Sequence, residues 1–427
     1  MPKYFNIHIM QIQRDFYLQQ LIDGKQNGLI KIITGIRRCG KSYLLFTLFY
    51  QYLKNSGVTE DHIIKIALDD IESADLRDPL SLYKYVKAKM VDEDLYYILL
   101  DEVQLVARFE EVLNSLLRMD NADVYVTGSN SKFLSSDIIT EFRGRGDEIR
   151  LYPLSLSEYC DGTGLKPYEA WKDYYTYGGL PHVLTLETEK KKLDYFSNLF
   201  ESVYLLDILE RHRVKNKSEF EDLVRIVASS IGAPTNTAKL SNTFKSVKKV
   251  AISYNTIDKY LGYMQDAFII EKATRFDIKG KKYIGSLAKY YFTDMGLRNA
   301  VLGLRQQEES HIMENVIYNE LRRRGCKVDV GIMEQRYVSK DGKWQRKQLE
   351  VDFVVNEGSQ KYYIQSALAM PDEEKRKQEM ASLLRIGDSF KKIIIVKDDI
   401  KPWTDENGIL TIGLMDFLMG DTKDLNI

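Results

Sequence analysis

The stretch IKIITGIRRCGKSYLLFTL, residues 30–48, decides the fold. An apolar run ends at Thr34, a polar turn carries two arginines, and Gly40-Lys41-Ser42 opens a helix-like run. Gly35 to Ser42 fit the spacing G-x-x-x-x-G-K-S. Glycines let the backbone fold tightly enough to turn its N–H groups toward an anion. In that arrangement Lys41 is expected to reach the β- and γ-phosphates, and the Ser42 hydroxyl to ligate Mg²⁺. The positive end of the following helix faces the same anion. Gly35, Ile36, Arg37, Arg38, Cys39, Gly40, Lys41, Ser42 and Tyr43 are thus the expected binding segment, with ATP and Mg²⁺ as cofactors. Cys39 reads most simply as a small residue that suits a tight turn.

Three later stretches fit such a site. YYILLDEVQ, residues 96–104, is an apolar strand ending in two acids. Asp101 suits a Mg²⁺ contact, and Glu102 is placed to orient and activate an attacking water, which favours hydrolysis over binding alone. VYVTGSNSKFL, residues 124–134, puts Thr127, Ser129 and Asn130 at another strand end, where open α/β sheets bind ligands. Asn130 could sense the γ-phosphate there, although TGSN is also a good turn and helix cap. Arg143 and Arg145, in EFRGRGDEIRLYPLSLSEY, could stabilise charge on a transferring phosphoryl group, or belong to a surface turn.

At 427 residues the chain is too long for one ordinary core. With 61 basic and 62 acidic residues it has no global field to attract a polyanion, so any nucleic-acid surface must be local. No apolar stretch approaches the ~20 residues needed to cross a bilayer, and the first residues lack a signal-peptide core. Three cysteines far apart suggest a reducing cytoplasm and no disulfide framework.

The first part alternates strands and helices, with strands expected at Leu29–Thr34, Ile63–Leu68, Tyr96–Leu100, Val124–Thr127 and Glu148–Tyr152. Their continuous apolar runs point to a parallel sheet covered on both faces. Residues from about 156 to 220 read as helical and charged. Ser218–Ile231, Thr237–Lys245 and Tyr254–Ala267 read as three helices, and a hairpin follows, turning near Lys279-Gly280. Three helices and a hairpin make a winged helix-turn-helix, in which the third helix enters a major groove and the hairpin touches phosphates. Lys239, Lys245, Lys248 and Lys249 lie in a stretch without acids, and Arg275, Lys279, Lys281 and Lys282 crowd the wing. Double-stranded DNA is the expected partner; protein contact or internal packing is the alternative. Tyr260, Leu261 and Met264 are expected in the core. The last part mixes a helix near Ile312–Arg324 with strands near Leu349–Val355, Tyr362–Gln365 and Lys392–Val396.

The order GIRRCGKS, ILLDEVQ, VTGSNS, FRGRGDEIRLYPLSLSEY and YGGLPHVL resembles the prokaryotic AAA+-type ATPases of the MNS clade. The resemblance continues through LLDILERHRVKNKSEFEDL, KYYFTDMGLRNAV and MENVIYNELRRRG, across nearly the whole chain. It implies an α/β P-loop core of the ASCE/AAA+ type at residues 1–160 and a helical lid at 161–215. A winged helix at 216–303 and a C-terminal α+β nuclease-like domain at 304–427 would follow. YGGLP is expected to be a structural turn of the lid.

Glu314, Asp352 and Gln365 fall in an order similar to the PD-(D/E)xK nucleases, whose acids hold a metal. The water-activating lysine of that pattern would stand at position 367, which is Ala367. A vestigial metal site is therefore expected, without cleavage. The expected function is an ATPase coupled to a DNA-binding module, with a homo-oligomer possible. A slow signalling or defence switch and an ATP-gated nuclease are the alternatives.

Overall fold

A computed structural model describes residues 12–128, 144–305, 308–338 and 341–420. The chain divides into two compact units. The first comprises residues up to Pro153, with Leu180–Thr185 and Asp266–Phe268.

Its sheet has five strands, β1 (Ile30–Thr34), β2 (Ile63–Ala67), β3 (Tyr96–Asp101), β4 (Ala122–Thr127) and β5 (Gly146–Arg150). They lie in the order β2-β3-β4-β1-β5, and every neighbouring pair is parallel. All residues of β1 and β3 are buried. The continuous apolar runs reflect this, because each strand is covered on both faces. Ile32, Ile98, Leu100 and Val126 meet Leu82, Val112 and Leu116 in one core cluster. β5 is the least apolar strand and lies at the sheet edge.

Lys31 is a charged residue inside this sheet. Its ammonium contacts Asp123 Oδ1 and the Leu29 carbonyl at 2.8 Å, and lies 4.6 Å from the centre of the Tyr125 ring. Asp123 also accepts from the Tyr125 hydroxyl at 3.0 Å and the Gln26 N–H at 3.1 Å. Burial pushes the Lys31 pKa down, and Asp123 opposes the shift. This closed polar cluster lets a lysine sit beneath a dry sheet.

The second unit comprises Leu154–Gly179, Leu186–Gln265 and the chain from Ile269. Ser155 and Glu158 form a reciprocal cap on the helix Leu156–Thr163. Helices Lys217–Ser229, Thr237–Thr243 (continuing in a wider turn to Lys248) and Tyr254–Asp266 match the three expected from sequence. Thr235 bridges Ala288 through two backbone hydrogen bonds of 2.8 and 2.9 Å.

An eight-stranded sheet follows, made of β6 (Ile270–Asp277), β7 (Lys282–Phe292), β8 (Lys327–Val338), β9 (Trp344–Glu357), β10 (Gln360–Ala367), β11 (Lys391–Val396), β12 (Trp403–Thr404) and β13 (Ile409–Gly413). Its order is β12-β13-β11-β10-β9-β8-β6-β7. The expected hairpin is therefore the edge of this sheet, with β6 parallel to β8. The boundary expected at residue 303 falls between strands of one sheet, and residues 304–427 have no sheet of their own. Residues 180–185, inside the expected lid, group with the first unit. Among the described residues, no helix is long and apolar enough to cross a membrane.

Candidate functional site

The carboxyl ends of β1, β3 and β4 lie side by side and carry Thr34, Asp101 and Thr127. Gly35 follows β1 with φ +136°. A Cβ there would lie 2.1 Å from the Leu151 carbonyl oxygen, so both conformation and space require glycine. Gly40 has φ +100°, and its nearest neighbour across the chain is Pro181. Arg38 also has positive φ, at +67°. The chain is then helical from Lys41 to Asn55, through a π turn at Leu44–Phe49. The Leu44 N–H donates to the Gly40 carbonyl at 2.9 Å.

Lys41 is buried, and its ammonium donates to the carbonyls of Gly35 at 3.0 Å and Ile36 at 3.1 Å. The charge is thus held inside the turn rather than in solvent. Cys39 is buried, with Sγ 3.6 Å from the Leu151 carbonyl, and fills the tight turn. Arg38 and Ser42 are exposed.

Across the sheet, Asp101 is buried and accepts a hydrogen bond from the Thr127 hydroxyl. Burial pushes its pKa up; the hydroxyls of Thr127 and Ser42 pull it down. The Glu102 N–H donates to Thr127 Oγ1 at 3.0 Å, so one threonine fixes both acidic residues. Glu102 itself has φ +54°, a left-handed conformation at the end of the strand. Gln104 Nε2 donates to the Glu102 carboxylate, and Gln104 Oε1 is buried without a partner among the described residues. The hydroxyl of Ser42 and the carboxylate of Asp101 are oxygen donors of the kind Mg²⁺ takes. Two positive-φ glycines and a helix start beside them suit a phosphate chain.

Ser129, Asn130 and Arg143 lie outside the described residues. Arg145 is exposed, with Nη1 3.4 Å from Asn114 Oδ1. Sequence reasoning missed Gln104, although it stands in the DEVQ signature, and Pro181, whose approach to Gly40 no local pattern encodes.

In the second unit, Tyr260, Leu261 and Met264 are buried, whereas Lys239, Lys245, Lys249, Lys279, Lys281 and Lys282 are exposed. Arg275 is a correction: it is buried, and its guanidinium donates to Gln348 at 3.2 Å, so it is no surface contact. Lys248 is paired with Asp222 at 2.7 Å.

Glu314 and Asp352 do meet, and a lysine lies between them. Lys289, on β7, places its ammonium 2.7 Å from Glu314, 2.8 Å from Glu350 and 3.6 Å from Asp352. Tyr291 donates to Glu314 at 2.6 Å, and the Ser366 N–H to Asp352 at 2.9 Å. Gln365 Oε1 is buried and has no partner among the described residues. Burial alone would lower the Lys289 pKa; Glu314, Asp352 and Glu350 reverse this and hold it well above the ordinary lysine value. Burial first, then the charge of Glu314, keeps the Asp352 carboxyl up at about 7. The lysine absent at Ala367 has a counterpart from another strand, but it neutralises the acids instead of standing free. These residues fit a metal poorly, because a cation already sits among them.

Residues 27–160 match the family described as AAA domain, and residues 168–308 match a domain of unknown function (DUF8612). An uncharacterized protein of Haemophilus influenzae is 33% identical over 96% of this chain and 98% of its own length. The uncharacterized protein MJ1544 of Methanocaldococcus jannaschii is 28% identical over 86% and 80%. Among solved structures, the Aeropyrum pernix ORC2 protein in its ADPNP-ADP complexes is similar with a TM-score of 0.37 and 11% identity, over 71% of this chain and 96% of that one. AMPPCP-bound DnaA from Aquifex aeolicus gives 0.29 and 14%, over 58% and 85%. At such scores the fold rests on the strand order itself.

Proposed function

This chain belongs to one family with the Haemophilus influenzae protein, and with an AAA domain match at its start we propose that it is a Mg-ATP hydrolase. Its nucleotide state would be passed to a winged-helix module that binds double-stranded DNA. The observation that carries the first part is the buried Lys41 ammonium held inside the positive-φ glycine turn that follows β1. Asp101, held by Thr127 at the end of β3, belongs to the same sheet.

In this reading the backbone N–H groups of Ile36 to Ser42 hold the phosphates, with Tyr43 continuing the helix behind them. Lys41 exchanges its two carbonyl partners for phosphate oxygens. Ser42 and Asp101 are the residues that would hold Mg²⁺, whose chemistry is to offset charge on the phosphates. Glu102, steadied by Gln104, takes the proton of the attacking water. Asn130, Arg143 and Arg145 are the polar groups assigned to the γ-phosphate; an arginine acting on a neighbouring subunit would require an oligomer.

Support for the DNA module is its order: three helices, a Thr235–Ala288 bridge and a hairpin, with exposed lysines on the second helix and the turn. Against a nuclease stands the Lys289 ammonium among the acids. Three free, buried cysteines fit a reducing cytoplasm. The test is the ATPase rate with and without duplex DNA across a salt series. Duplex should raise the rate, and the rise should fade as salt screens the lysines. A rate indifferent to duplex at every salt would remove the DNA coupling and leave the ATPase.

A further inference from the structure

β8 and β9 are longer than the sheet around them needs. β6 pairs with β8 only up to Asp277 against Ile332. β10 pairs with β9 only from Phe353 onward. Beyond those rows β8 and β9 stay paired with each other to Val338 against Trp344. The six residues from Met333 to Val338 extend the ribbon by about 20 Å, at ~3.3 Å per residue. A two-stranded ribbon on its own is marginal in water, so its length points to something it touches.

The exposed side chains say what. Trp344 is 75% exposed at the far end of the ladder, opposite Val338, which is 52% exposed. Lys343, Arg346 and Lys347 are all exposed. Glu334, 3.7 Å from Arg346, and exposed Asp341 at the tip offset only part of this charge. Side chains alternate along a strand, so Trp344 and Arg346 share one face while Lys347 takes the other; Lys343 stands just before the strand. Because β6 runs parallel to β8, its turn into β7 leaves the sheet at the same end as the ribbon. That turn carries exposed Lys279, Lys281 and Lys282. Two basic tips therefore project together from one edge, the longer one ended by an aromatic ring. A nearly neutral chain has gathered cations there, in a row suited to a polymer of regularly spaced negative charges.

We propose that the β8–β9 ribbon is a DNA-binding arm, separate from the three helices, which grips duplex DNA alongside the β6–β7 turn. Lys343, Arg346 and Lys347 take backbone phosphates, and Trp344 with Val338 packs its apolar surface into the groove between them. The inference shares its partner with the proposed winged helix, so its test must separate the two.

Fluorescence anisotropy of a labelled duplex with the full-length protein, over a salt series, does so. The variant K343A/R346A/K347A should bind about 10- to 100-fold more weakly at low salt. Its plot of log affinity against log salt should flatten by about two to three, since each phosphate contact contributes ~0.9. W344A should lose about tenfold with the slope unchanged, as expected for an uncharged contact. All four residues are exposed, so unchanged thermal unfolding will show that the fold is intact. If the triple variant keeps wild-type affinity and slope while K279A/K281A/K282A weakens binding, the arm is wrong and the winged helix stands. If the arm variants weaken binding and the turn variant does not, the shared grip with the turn is wrong; if K239A/K245A/K249A is then silent too, the winged-helix reading fails and the arm alone stands. A wild-type protein that binds only single strands, or no DNA, overturns both.

Discussion

Glu102→Gln is expected to lower ATP turnover by about 100- to 10,000-fold, the usual worth of a positioned general base. Affinity for Mg-ATP should stay within a few-fold of wild type. The residue keeps its shape but loses the ability to take a proton. Its backbone stays in place because the N–H bond to Thr127 does not involve the side chain. Gln104 can still hydrogen-bond to the new amide oxygen. The phosphate turn and the Thr127–Asp101 hydrogen bond are untouched. Phosphate release measured at saturating nucleotide checks this. A variant that turns over at the wild-type rate would move the base elsewhere.

Lys289→Met should destabilise the second unit by about 3–5 kcal/mol, because it leaves buried carboxylates without their cation. One ammonium serves Glu314, Glu350 and Asp352. Urea unfolding gives the magnitude. Adding Asp352→Asn to Lys289→Met should recover part of the loss, since one buried charge goes with it. In the wild type, Asp352 lies farthest from the ammonium and its folded pKa is raised to about 7. The folded state therefore keeps a proton that the unfolded chain loses near pH 4. Stability should fall as pH rises from about 4 to 7, and Asp352→Asn alone should flatten that fall. A Lys289→Met protein as stable as wild type would show that the cluster is solvated or neutral.

The sequence was most legible where chemistry and local geometry coincide. β1 and β3 are continuous apolar runs because both faces are covered, and the glycines of residues 35–42 mark backbone that other residues rarely adopt. Strand ends such as Asp101-Glu102 could be read for the same reason. Long-range placement was not legible. Lys289 is 25 residues from Glu314 and 63 from Asp352; the pairing of β6, β7, β8 and β9, with the helix Glu309–Arg323 packed against them, brings the three together. The boundary expected at residue 303 failed likewise, since parallel pairing of β6 with β8 leaves no local signal. Arg275 looked like surface charge because alternation along β6 does not show which face the neighbouring strand covers. The ribbon's reach was hidden too: Trp344 would read as core by composition, yet it stands in solvent.

Titration calorimetry of Mg-ATP into the wild-type protein and Lys41→Ala tests the central claim most directly. Lys41 is the one buried cation inside the phosphate turn, and losing its charged hydrogen bonds should weaken binding about a hundredfold or more. The account predicts a single saturable event for the wild type and none at the same concentrations for the variant. No heat with the wild type, or equal binding by both proteins, would contradict it.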